Sequence, residues 1–114
     1  MIFNPTRIGG SASKSEFTVK INATGADVSI GGTFYSGERT IKVSKNTLIA
    51  ISISNTSSQV DPLTFNGKTV ASPTISSNRR SLGYIYPVLQ DCEVKTWTTG
   101  TSFLQTYYQT ITTE

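Results

Sequence analysis

The chain reads as an all-β domain, and three observations carry that reading. Between Gly25 and Ser54, apolar residues recur at every second position: Val28 and Ile30, then Ile41 and Val43, then Ile49, Ile51 and Ile53. Apolar residues at spacing two scatter around a helix but line one face of a strand, so no helical template fits this stretch. Turn signals built on Gly, Asn and Pro recur about every 8–12 residues, the spacing of a small sandwich or barrel. Finally, only 36% of the 114 residues are apolar, as expected where alternate strand residues face water.

Taken in order, residues 1–15 hold Asn4-Pro5 and Gly9-Gly10-Ser11-Ala12-Ser13. That composition buries little surface and predicts an arm that is flexible or docked on a partner through Ile2, Phe3 and Ile8. Residues 16–114 form one domain. Its first strand is Glu16–Asn22, with Phe17, Val19 and Ile21 inward, closed by a turn at Thr24-Gly25. Val28–Ile30 follows, then a tight turn at Gly31-Gly32, where positive φ is required. A short return through Phe34 and Tyr35 turns again at Gly37-Glu38. Ser44-Lys45-Asn46 is expected to close a hairpin between the Ile41 strand and Leu48–Ser54, the most apolar and therefore most central strand.

Asn66-Gly67, flanked by Leu63–Phe65 and Lys68–Val70, is the strongest short hairpin signal in the chain. Residues 72–80 read as loop, Leu82–Val88 as a strand interrupted by Pro87, and Asp91–Trp97 as an alternating strand. The final stretch, 103–113, is polar on both faces and suits a sheet edge or a partner's sheet.

Two resemblances refine the picture. Gly25-Ala26-Asp27-Val28-Ser29-Ile30-Gly31-Gly32, Gly37 and the two following strands resemble the PEGA-type repeat of bacterial surface proteins over residues 17–54. The pattern departs at Glu38-Arg39, where that family usually has Thr-Pro. The resemblance implies an Ig-like antiparallel β-sandwich, a Greek key preceded here by an extended N-terminal arm. The opening Met1–Pro5, followed by Gly9-Gly10-Ser11, is similar to the start of small phage and prophage virion structural proteins. This implies a part that acts by protein–protein contact.

Catalytic chemistry finds little footing. The chain has no histidine and a single cysteine, Cys92. That cysteine lies between Asp91 and Glu93, whose negative charge raises a thiol pKa and blunts its nucleophilicity. Alternation places Asp91 and Glu93 on one face, where solvated charges are the ordinary outcome. No Gly-x-Ser-x-Gly elbow, phosphate loop, zinc set or EF-hand loop is present. A loop calcium site at Asp61 or Asp91 stays open. No enzyme activity and no cofactor are therefore expected.

The 10 Lys and Arg against 7 Asp and Glu, a net charge of +3, are dispersed along the chain rather than gathered into a polyanion site. The aromatics Tyr84, Tyr86, Trp97, Tyr107 and Tyr108, with Arg79 and Arg80, form the candidate ligand or partner surface. The leading expectation is a non-enzymatic virion component, a head-decoration or tail accessory protein, made in the host cytoplasm and contacting other virion proteins and copies of itself. A glycan-binding adhesion module at the bacterial surface is the alternative, stacking sugars on Tyr84, Tyr86 or Trp97. Single-stranded nucleic-acid binding is the second alternative and the weaker one. No stretch approaches the roughly 18 apolar residues of a membrane span.

Overall fold

The computed structural model describes residues 15–56, 59–101 and 104–114. Apart from Ser15, the predicted arm, with Ile2, Phe3 and Ile8, lies outside the described residues. Within them the chain forms ten strands and no helix: β1 Glu16–Ile30, β2 Thr33–Ser44, β3 Leu48–Asn55, β4 Gln59–Val60, β5 Leu63–Phe65, β6 Lys68–Ala71, β7 Thr74–Ser76, β8 Arg79–Pro87, β9 Cys92–Thr99 and β10 Thr106–Thr113. The all-β class is as the periodicity predicts.

These strands make one continuous sheet in the order β6-β5-β10-β9-β1-β3-β8-β7, with β2 on β1 and β4 on β10. The antiparallel expectation needs correction, because β1–β9, β10–β4 and β10–β5 run parallel. The sheet is mixed and curls into a half-barrel.

The curl follows from β1 and its hairpin. Across 15 residues a straight strand would run about 46 Å. Yet Ser44, opposite Glu16 at one end of β1, connects through three residues to Leu48, whose carbonyl accepts the Gly31 N–H at 3.0 Å at the other end. Four residue steps span about 14 Å at most, so β1 must bend. It does so where the register slips between Ala23 and Val28, leaving residues 24–27 opposite Ser36 alone. This bulge replaces the turn expected at Thr24-Gly25. Gly37, at φ +77° opposite Ala23, serves the same bend from within β2 rather than ending a strand.

At the bend β1 exchanges neighbours. Val19–Ala23 pair in parallel with Cys92–Thr96, whereas Val28–Ile30 pair antiparallel with Ile49–Ile51. The turn at residues 45–47 is where the sequence puts it, but the strands it joins do not pair, since β1 lies between them. The two ends of the sheet path, β6 and β7, are linked by Ser72-Pro73 alone, so the curl brings its margins together. Residues 72–80, predicted as loop, contain β7 and the start of β8.

The concave face is the core. Phe17, Val19, Ile21, Val28, Ile30, Ile49, Ile51, Ile53, Leu82, Val88, Val94 and Ile111 are buried there. Phe65 and Tyr86 meet across it with ring centroids 5.0 Å apart. Ile41 and Val43 are only half-buried because β2 is an edge strand. In contrast, β10, expected at an edge, lies between β9 and β5 and contributes buried Gln109 and Ile111. Gln109 Nε2 donates to the Asp61 carbonyl, while its Oε1 is buried with no hydrogen-bond partner among the described residues, so this polar side chain enters the interior half satisfied.

Asn66 and Gly67, at φ +52° and +86°, make the predicted hairpin between β5 and β6. The Asn66 amide also donates to Thr113 Oγ1 (2.9 Å) and its Oδ1 accepts the Thr113 N–H (2.8 Å), clasping the end of β10.

Candidate interaction surfaces

Because strand residues alternate, the inward set of β8 (Leu82, Tyr84, Tyr86) defines an opposite set, Gly83, Ile85 and Pro87, that faces outward. On β3 the outward set is Leu48, Ala50, Ser52 and Ser54. The register aligns one row across four strands: Phe34, Ser29, Ala50 and Ile85. Phe34 is 72% exposed and Ile85 62%, and next to this row stand Leu48, half exposed, and its partner Pro87.

Between Phe34 and Ile85 the surface is floored by small side chains. An open hollow of about 500 Å³ lies over Ala50, Ser52, Gly83 and Ile85, and a second of about 530 Å³ over Asp27, Ser29, Phe34, Ala50 and Ser52. They share Ala50 and Ser52 and together make one shallow trough. Gly83 has no atom within 4 Å of where a Cβ would stand, so glycine here keeps the trough open without being required by packing. No outward side chain between the two walls is charged; Asp27 stands at one margin and Arg79 beyond Ser54 at the same end. An apolar patch with a polar rim is the ordinary character of a protein contact surface.

The outer face of β9 and β10 differs. Trp97 and Tyr108 are register partners whose rings stack 5.2 Å apart at 19°. Lys95 Nζ lies 5.4 Å from the Trp97 ring centroid, so cation and tyrosine both engage the indole. Where β1 and β2 adjoin β9, Lys20, Asn22, Glu38, Arg39, Thr40 and Glu93 line an open cleft of about 440 Å³. This face is polar and charged, with an aromatic pair beside it.

The remaining predicted residues do not join either surface as expected. Tyr84 and Tyr86 do share a face, but it is the inner one: Tyr86 is 8% exposed and Tyr84 packs half-buried on the core. Burial pushes the Tyr86 phenol pKa up, against a hydrogen bond to the Leu89 backbone that lowers it. Tyr107 is half-buried, its hydroxyl accepting from Asn55 Nδ2 at 3.3 Å. Arg79 is exposed and donates to Ser54 Oγ at 2.7 Å, while Arg80 is half-buried opposite Asn55, the residue that reaches Tyr107. Tyr84 and Tyr86 thus turn toward the core, while Arg79 stays at the surface.

Compared with known proteins, the chain matches no family model, no curated protein and no solved structure. Function must be read from the geometry itself.

Cys92 is buried, and its thiol pKa is pushed up to about 11, first by burial and then by the charges of Asp91 and Glu114. Glu114 thus takes the part expected of Glu93, whose side chain is exposed on the outer face. Asp91 Oδ1 accepts the Thr18 N–H at 2.9 Å, tying the start of β9 to β1. Among the described residues no group of three His, Cys, Asp or Glu gathers closely enough to hold a metal ion.

Sequence reasoning missed Phe34, Ala50 and Ile85. The signal was present, because once Tyr84 and Tyr86 are assigned inward, alternation forces Ile85 outward as an apolar residue with no core to enter.

Proposed function

We propose that this protein is a non-enzymatic assembly part that works by rigid shape and protein–protein contact, as a virion component such as a head-decoration or tail accessory protein. The observation that carries the reading is the exposed row Phe34, Ser29, Ala50 and Ile85, in register across four strands and walled by its two large apolar members. A sheet anchored by a largely buried inner face presents this row with little freedom to rearrange, which favours a preformed contact. The virion assignment rests on the resemblance of Met1–Pro5 and the Gly-Ser tract to small virion proteins. The residue 1–15 arm, with Ile2, Phe3 and Ile8, is a second attachment in this reading.

Size fractionation of extract from producing cells tests it. The protein is expected in a particle fraction far larger than its 12.3 kDa mass, with Phe34→Asp and deletion of residues 1–14 each moving it toward the free fraction. Intact protein found wholly free contradicts the proposal.

Glycan binding is a second reading, favoured by the Trp97–Tyr108 pair beside the polar cleft of Lys20, Asn22 and Glu93. A saccharide on that pair would change Trp97 fluorescence, and the chain has one tryptophan. Unchanged emission across a panel of cell-wall saccharides dismisses it.

A further inference from the structure

We infer that the occupant of the outer trough is a second copy of this chain, packed face to face so that each copy's Phe34 enters the other's floor of Ala50, Ser52 and Gly83. This rests on the contact-by-shape reading and names its partner. The first support is self-complementarity. A symmetric twofold contact requires one patch to carry both projection and recess, and this patch has both: Phe34 and Ile85 project on either side of small residues. The walls stand three strand spacings apart, about 14 Å. That width admits the opposing copy's wall residues at the roughly 10 Å separation of stacked sheets.

Charge is the second support. The chain carries a net charge of +3, so a contact between two copies avoids close like-charge repulsion where the meeting faces are uncharged. The outward side chains between Phe34 and Ile85 are Ser29, Ala50, Ser52 and Gly83, all uncharged, and the margin holds one acid, Asp27, and one base, Arg79. Burial of like charge at the centre of the contact is thereby avoided. The third is area. Exposed Phe34, Leu48 and Ile85 together offer on the order of 400 Å² of apolar surface, the central half of the ~800 Å² per partner of a standard interface.

The test is sedimentation velocity of the intact chain from low to high micromolar concentration, together with Phe34→Asp, Ile85→Asp and Ile85→Leu. The expected result is a reversible species of twice 12.3 kDa that both Asp variants weaken more than about tenfold and that Ile85→Leu retains. Both wall residues are exposed, so far-UV circular dichroism should be unchanged in all three. Ser52→Cys should also give a two-chain product with a short bis-maleimide, whereas the buried Cys92 of the parent should not. A monomer at every concentration, or a dimer that survives both Asp variants, overturns the inference. If the intact chain is monomeric yet Phe34→Asp still releases it from the particle fraction, self-pairing fails while the assembly reading stands with a different partner.

Discussion

Replacing Asn66 separates two contributions that a single residue makes to this fold. Asn66 holds φ +52° at the first position of the β5–β6 turn, and its side chain makes two hydrogen bonds, 2.9 and 2.8 Å, to Thr113 at the end of β10. Asn66→Ala loses both. Exposed hydrogen bonds of this kind contribute about 0.5–1 kcal/mol each, and alanine in the left-handed region adds about 1 kcal/mol, so the total loss is about 2–3 kcal/mol. Asn66→Gly loses the same bonds but not the backbone preference, partly offset by greater freedom of the unfolded chain, for about 1–2 kcal/mol. Asn66→Asp keeps an acceptor for the Thr113 N–H and can accept from the Thr113 hydroxyl, so its cost is under about 1 kcal/mol. Urea unfolding of the three variants should rank them Asp, Gly, Ala in falling stability, with the Ala variant lower in Tm by about 8–12 °C. Equal stability of Ala and Asp variants would refute the clasp.

Other expectations follow from the same fold. Ile49→Ala, at a fully buried position, should cost about 2–5 kcal/mol in urea unfolding, while Ile85→Ala on the outer face should stay within about 0.5 kcal/mol. A Cβ at Gly100 would stand 2.4 Å from the Leu104 carbonyl oxygen at φ +95°; Gly100→Ala should therefore lower the urea midpoint, and an unchanged midpoint would contradict the close approach. Cys92 carries a pH signature. Its folded pKa of about 11 exceeds the ordinary 9.0, so the folded state holds the proton more tightly. That contribution is complete below about pH 9 and is lost as pH rises through 11. Cys92→Val should flatten part of the alkaline loss of stability, the raised Tyr86 phenol accounting for a remainder of the same sign. At pH 8 the parent thiol should resist a disulfide reagent until denaturant is added.

Much of the fold was legible in the chain because strand alternation and glycine turns are local signals. The inward set Phe17, Val19 and Ile21 and the Gly31-Gly32 and Asn66-Gly67 turns follow from spacing, and the apolar run of β3 foretells a place inside the sheet, between β1 and β8, although β9 and β1 hold its middle. What was hidden is non-local. Thr24-Gly25 reads as a turn by composition, but the β1–β2 ladder continues past it, and only the three-residue return at 45–47 shows that the ribbon bends. Likewise β10 looks like an edge by its Thr, Tyr and Gln content. What eases its place in the interior is the bond from Gln109 Nε2 to the Asp61 backbone, 48 residues away in sequence, with Gln109 Oε1 left unpartnered among the described residues. Parallel pairing of β1 with β9 depends on partners more than seventy residues apart, which no window of sequence contains.

The candidate surface was less legible for a related reason. Aromatic side chains drew the reading toward Tyr84 and Tyr86, yet a ring is a platform only if its face is outward, and the concave core claims both residues. Trp97 and Tyr108 did fall on one outer face. The row from Phe34 to Ile85 required the register of four strands, which the bend in β1 sets by bringing Ser29 between Phe34 and Ala50.

Oxidative footprinting of Phe34, followed by mass spectrometry on the assembled and dissociated protein, tests the central claim most directly. The account predicts that the Phe34 peptide is oxidised readily in the free chain and several-fold less in the assembled form, while peptides of the β9–β10 outer face change little. Equal oxidation of Phe34 in both states would contradict it.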